Sequence, residues 1–242
     1  MILGFILEPR QIVENANDTK PVPITTPRVT LTPLMRRDVA LQRLYLRMFI
    51  AELRLTFKGM HWLLYLIAAG IIASALFVPL DIARLVVLPL AMVLPVLVWS
   101  SLGVREVEHH TDPLVFALPY SLRRQLSVTW VVGVCIALVM ASGVIVRLAL
   151  IGDWLSCIAV IIGALFVPSF AVALGCWSGS SKLFQAIYLF VWYLAAVQGV
   201  IYIDFMGHFP QTVSLGIPWI VAIVMIGLLV VAAFGRQRQV YR

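Results

Sequence analysis

The chain has 242 residues, 62% of them hydrophobic and 12% charged, with eighteen Lys and Arg against eleven Asp and Glu for a formal charge of +7. A soluble domain needs roughly a quarter of its residues charged to cover its surface, so this composition excludes a water-soluble globular protein and fits a multi-span membrane protein. The basic residues gather at the ends of apolar runs instead of interleaving with exposed aromatic residues, which argues against nucleic acid as a partner and for orientation signals beside anionic lipid.

Met1 to Leu7 are apolar but lack a basic leader, and Glu8, Pro9 and Arg10 end the run too early for a signal peptide. Residues 1–34 read as a flexible polar tether, because Pro21, Pro23, Pro27 and Pro33 prevent helix and the apolar surface is too small to fold. From Met35 to Lys58, Leu41, Leu44, Tyr45, Met48, Phe49, Leu53 and Phe57 recur at three- and four-residue steps, opposite Arg36, Arg37, Asp38, Gln42, Arg43, Arg47, Glu52, Arg54 and Lys58. That pattern predicts a basic amphipathic helix lying in the cytoplasmic headgroup layer, with a soluble helix packing on a partner as the other reading.

Residues 35–242 read as one all-α, polytopic unit of six transmembrane helices, since a span needs about 20 apolar residues. The spans fall at about 61–79, 85–102, 126–146, 154–177, 183–203 and 219–235. Pro89 and Pro95 interrupt the second and Pro168 lies within the fourth. In this threading only Arg84 and Arg147 of the Lys and Arg residues fall on the far side, which predicts both termini in the cytoplasm. Trp62, Trp99, Trp154, Trp177 and Trp219 lie near span ends, where amphipathic rings prefer the interface. Cys135, Cys157 and Cys176 sit within apolar runs as small buried hydrophobes. No internal repeat is evident.

Within the six spans as drawn there is no Asp, Glu, Lys or Arg. An ion-coupled carrier needs such groups facing a cavity, so this unit has no evident means of using an ion gradient. Nor do Lys20, Lys58 or Lys182 sit in a phosphate-cradling glycine-rich loop. The chain is therefore expected to be no enzyme and to hold no cofactor, with any ATP hydrolysis in a separate subunit.

The connection between the second and third spans, residues 105–125, holds the densest set of polar residues. Glu106, Glu108, His109, His110 and Asp112 are ligand types, but adjacent histidines on a helix point about 100° apart and no His-Glu-x-x-His spacing exists, so metal binding is the lesser reading. The better one is a short helix along the cytoplasmic membrane face, acidic at its start where the helix dipole favours negative charge, apolar along Leu114, Val115, Phe116 and Leu118, and ended by Pro119. Arg123 and Arg124 then anchor the third span, and the helix suits contact with a soluble partner.

Arg105-Glu106, Asp112, Leu118-Pro119, Ser121 and Arg123-Arg124, followed directly by a span, resemble the second-to-third-span connection of ABC type-2 exporter permeases. The resemblance runs from about Ile50 to the end. The stretch Trp177 to Phe184, with Trp192-Tyr193 and Asp204 to Gly207, is similar to a bacterial subgroup whose permeases are often fused as two such units. It implies the transmembrane half of an exporter in the bacterial inner membrane, driven by an ABC ATPase subunit and paired with a second permease half, either another copy or a separate chain. Carried over by position, Glu106, Asp112 and Pro119 would belong to the coupling helix, Arg123 and Arg124 to its exit and Lys182 to a smaller second contact, with Arg105 also among the partner-coupling residues. A single unit behind a Thr- and Pro-rich leader is what a detached second half would look like. The alternative from another class is a non-transporting scaffold or assembly factor that recruits a cytoplasmic partner.

Overall fold

The computed structural model describes residues 37–58, 60–104 and 121–240. The chain divides into two units, Met1–Ala40 and Leu41–Arg242, and the bundle described here belongs to the second. Among the described residues every regular element is helical and none is a strand. In chain order these are α1 (Arg37–Lys58), α2 (Trp62–Phe77), α3 (Leu80–Ile82), a π-helical turn (Ala83–Val87), α4 (Leu88–Val93), α5 (Val96–Ser100), α6 (Ser121–Ile151), α7 (Trp154–Ser178), α8 (Ser181–Ala196), a 3-10 turn (Ile201–Ile203), α9 (Pro210–Ser214) and α10 (Ile217–Val240).

Three helices are long and apolar enough to cross a bilayer: Gln125–Ile151 of α6, the whole of α7, and Ile217–Gly235 of α10. Four are reached if α1 and α2, whose Arg43–Lys58 and Trp62–Phe77 portions meet at 105°, count as one bent span. At that elbow the Tyr65 hydroxyl donates to the Phe57 carbonyl at 2.8 Å and the two rings stand 5.8 Å apart.

The segment drawn as the second span, residues 85–102, is not one helix but the end of the π turn, α4 and α5 in series, with α3 just before it. Prolines cause this: Pro89 and Pro95 have no N–H to give the ladder, and the chain breaks between Val93 and Val96. Side chains of α8 bond the carbonyls of this broken segment, Tyr188 Oη donating to Met92 O at 2.8 Å and Trp192 Nε1 to Pro89 O at 2.9 Å. The segment drawn as the fifth span likewise ends as helix at Ala196, where Gly199 at φ 67° turns the chain.

Contacts between far-separated residues give the order of the bundle. Arg84 reaches Asp153 and Gly207 at one end, while Gln185 Nε2 donates to Ser100 Oγ at 2.9 Å and Trp177 Nε1 to Val231 O at 2.9 Å at the other. Successive long segments therefore run antiparallel. The central helix is α7, packed on α6 and α10 and buried along most of its length. Small residues permit the close approach: a side chain at Gly133 would meet Leu102 and Pro168, and one at Gly175 would meet the Leu102 carbonyl. Trp62, Trp154, Trp177 and Trp219 keep exposed rings, but Trp99 is fully buried and donates to the Gly133 carbonyl at 3.2 Å. It is a core residue, not an interfacial one.

Candidate functional site

The sequence directs attention to residues 105–125. Arg105, Glu106, Asp112 and Pro119 lie outside the described residues. Arg123 and Arg124 fall in the first turn of α6, and Lys182 is exposed in the first turn of α8, at the same end of the bundle as Ser100 and Gln185. Of the residues expected to meet a partner, the described ones are thus Arg123, Arg124 and Lys182.

The opposite end carries a buried polar cluster that the sequence did not single out. Arg84, in the π turn, has a guanidinium almost closed to solvent. Its Nη2 donates to Ser156 Oγ at 3.0 Å and to the Gly207 carbonyl at 3.5 Å, and its Nη1 to Asp153 Oδ2 at 3.5 Å. Asp153 caps α7, accepting from the Ser156 amide at 3.1 Å. The Ser156 side chain, against the opposing cost of burial, together with that amide and the Arg84 charge, holds the Asp153 carboxyl below the usual carboxylate range. Arg147 performs a related service for α2, donating to the carbonyls of Ala75 and Val78 at the end of that helix.

Residues 204–212 form the second half of the cluster. Asp204 is 1% exposed and accepts from the amides of Met206 (3.2 Å), His208 (3.3 Å) and Phe209 (3.0 Å) and from Thr212 Oγ1 (2.7 Å). Its Oδ1 also lies 2.7 Å from His208 Nδ1. Burial pushes the Asp204 carboxyl up, but the hydrogen bond and charge of His208, the Phe209 amide and the Thr212 hydroxyl outweigh it and hold the group below its usual value. Two nitrogens of the cluster, Arg84 Nε and His208 Nε2, are buried and have no hydrogen-bond partner among the described residues.

This arrangement organises the segment from Asp204 to Thr212. Among the described residues no group of three or more His, Cys, Asp or Glu is placed to hold a metal ion. The four-residue rhythm of Asp204, His208 and Thr212 was the signal available in the sequence, whereas nothing local links Arg84 to Ser156 or Gly207. Compared with protein-family models, curated proteins and solved structures, the chain matches none of them.

Proposed function

We propose that this chain is the transmembrane permease half of an ATP-driven exporter of the ABC type-2 kind. It crosses the bacterial inner membrane six times with both termini in the cytoplasm, receives motion from a separate ABC ATPase subunit, and completes its pathway with a second permease half. The reading is carried by the order Arg105-Glu106, Asp112, Leu118-Pro119 and Arg123-Arg124 running straight into a 31-residue helix.

Support for six crossings comes from segment lengths and charge placement. Residues 85–102, running through the end of the π turn, α4 and α5, make about 18 residues, close to a membrane thickness, and α8 with its continuation to Ile203 supplies a similar length. Arg84 and Arg147, the two basic residues assigned to the outer side, donate to Asp153, Ser156 and backbone carbonyls. A cation engaged in this way tolerates an outside position better than a free one.

In this reading, ATP binding draws two coupling helices together and the motion passes into α6 and the broken second segment, reorienting the spans around a path between two halves. Polar groups inside the bundle, such as Ser100 with Gln185 and Trp130 with Ser169, are paired with each other, which favours hydrophobic or amphipathic cargo. The test is copurification of the tagged full chain with an ABC ATPase subunit, followed by Glu106→Lys. The variant should insert normally and retain ATPase binding while transport falls roughly tenfold or more. Unchanged transport in Glu106→Lys overturns the coupling assignment, and modification of Thr111→Cys by an impermeant thiol reagent from the periplasmic side overturns the threading.

A further inference from the structure

Residues 96–104 are the last piece of the second segment and the base from which the connection 105–120 leaves. Pro95 separates them from the rest of that segment: it gives no N–H to the ladder, and the helix stops at Val93 and restarts at Val96. Three other helices hold them. Trp99 Nε1 donates to the Gly133 carbonyl of α6 at 3.2 Å, and Ser100 Oγ accepts from Gln185 Nε2 of α8 at 2.9 Å.

The tie to α7 is of a different kind, backbone laid against backbone. Leu102 and Val104 are fully buried, and Gly103 between them turns the chain at φ 78°. A side chain at Gly103 would meet the Val172 carbonyl and Cys176 Sγ, each at 3.4 Å. One at Gly175 would lie 2.5 Å from the Leu102 carbonyl oxygen and 2.9 Å from Val104 Cγ2. Residues 102–104 therefore rest on one turn of α7, and the missing side chain of Gly175 admits them. Backbone has no rotamer with which to yield and a packed interior compresses little, so a shift at residue 104 carries residues 172–176 with it. Helix α7 runs unbroken from Trp154 to Ser178 at the centre of the bundle, packed on α6 and α10.

We propose that Gly175 is the positioning residue of the coupling path. Motion that enters the second segment at residue 104 is handed to α7 across the contact between Leu102 and Gly175, and within the second segment it ends at the Pro95 break. This inference rests on the exporter reading and deepens it, since it names the helix that takes up the motion and the contact that passes it on.

Hydrogen exchange read by mass spectrometry on the full chain in lipid nanodiscs tests the joint without a partner. Gly175→Ala should speed the amides of 101–104 and 172–178 roughly tenfold and leave those of 80–94 unchanged. Gly143→Ala is the control, because its Cβ would press as closely on Ala75 and the Ile72 carbonyl in the other half of α6; it should leave 101–104 unchanged. Acceleration of 80–94 equal to that of 101–104 overturns the Pro95 boundary. The same measurement on the complex with the ABC ATPase subunit, nucleotide-free against trapped with ATP and vanadate, tests the path. In the unaltered complex, which needs no variant to fold, exchange at 101–104 and at 160–178 should both change by roughly threefold or more. Gly175→Ala should keep the change at 101–104 and lose the one in α7, whereas Gly143→Ala should keep both. A change at 101–104 with none in α7 of the unaltered complex, an α7 response retained in Gly175→Ala, or one lost in Gly143→Ala overturns the path and leaves the exporter reading standing. Failure of the ATPase subunit to copurify, or no change at 101–104 in the unaltered complex, overturns both.

Discussion

Asp204 Oδ1 and His208 Nδ1 lie 2.7 Å apart with neither side chain reaching solvent, four residues apart in a segment that is not helical between them. A carboxylate withdrawn from water on this scale is tolerated only because its lone pairs are met on every side. The pair therefore converts an apolar connection, Ile201 to Leu215, into a body with a fixed shape.

Acid should loosen that body. The folded Asp204 carboxyl titrates below its usual value of 3.8, so its contribution to stability is complete above that value and is lost as the pH falls through the lowered folded value. Melting of the purified protein from about pH 6 to about pH 3 should show a steeper loss in the unaltered chain than in Asp204→Asn. The variant itself should be less stable near neutrality by about 3 kcal/mol, since an amide cannot serve the same five donors. Parallel curves for the two proteins would remove the Asp204 assignment.

Asp153 offers two separable contributions, a cap on α7 and an ion pair with Arg84. The pair is 3.5 Å long and 40% of the Asp153 side chain is exposed, so solvent screens it, whereas the cap is a 3.1 Å bond to the Ser156 amide. Asp153→Asn keeps a capping oxygen and should change stability by less than about 0.5 kcal/mol, while Asp153→Ala should cost about 1 kcal/mol. Equal losses in the two variants, measured by thermal unfolding in detergent, would mean that the ion pair with Arg84 stabilises the fold more than the cap does.

The helical class and the three long apolar helices α6, α7 and α10 were legible because they follow from composition and run length. The interruptions near Pro89 and Pro95 were legible for the same reason, a missing N–H. What could not be read was which polar residues meet. Arg84 has the sequence setting of an outer-turn charge, yet it is drawn inward by Ser156, 72 residues away, and by Gly207, 123 residues away. Trp99 looks interfacial from its place in a run, but its ring is fully buried and its indole donates to the Gly133 carbonyl on another helix. Proximity to a span end is a statement about depth along one helix and carries no information on which way a ring points.

Tyr188 ties α8 to the broken second segment. Its hydroxyl is fully buried and its acceptor, the Met92 carbonyl, lies just before the interruption at Pro95. Tyr188→Phe keeps the ring stacked on Phe184 and removes only the bond, so the expected loss is about 1 kcal/mol, in line with hydrogen bonds between membrane helices. Equilibrium unfolding in mixed micelles measures it; no loss would mean that the carbonyl finds another donor.

Two glycines on apolar helices should respond in opposite ways to the same substitution. Gly163 on α7 faces backbone: an added Cβ would lie 2.5 Å from the Phe205 carbonyl oxygen and 2.9 Å from the Met206 Cα. Backbone cannot rotate aside as a side chain can, so Gly163→Ala must lift the segment carrying Phe205 and Met206, at a cost of about 2 kcal/mol. Gly227 on α10 faces open space, with nothing within 4 Å of an added Cβ. There Gly227→Ala should be neutral or stabilising by up to about 1 kcal/mol, since alanine loses less backbone freedom in a helix. Limited proteolysis between residues 204 and 216 reads the consequence directly. Gly163→Ala should be cut faster than the unaltered chain and Gly227→Ala at the same rate, because only the first displaces the segment from its seat. Resistance of Gly163→Ala to cleavage would show that the segment is held by something other than its fit against α7.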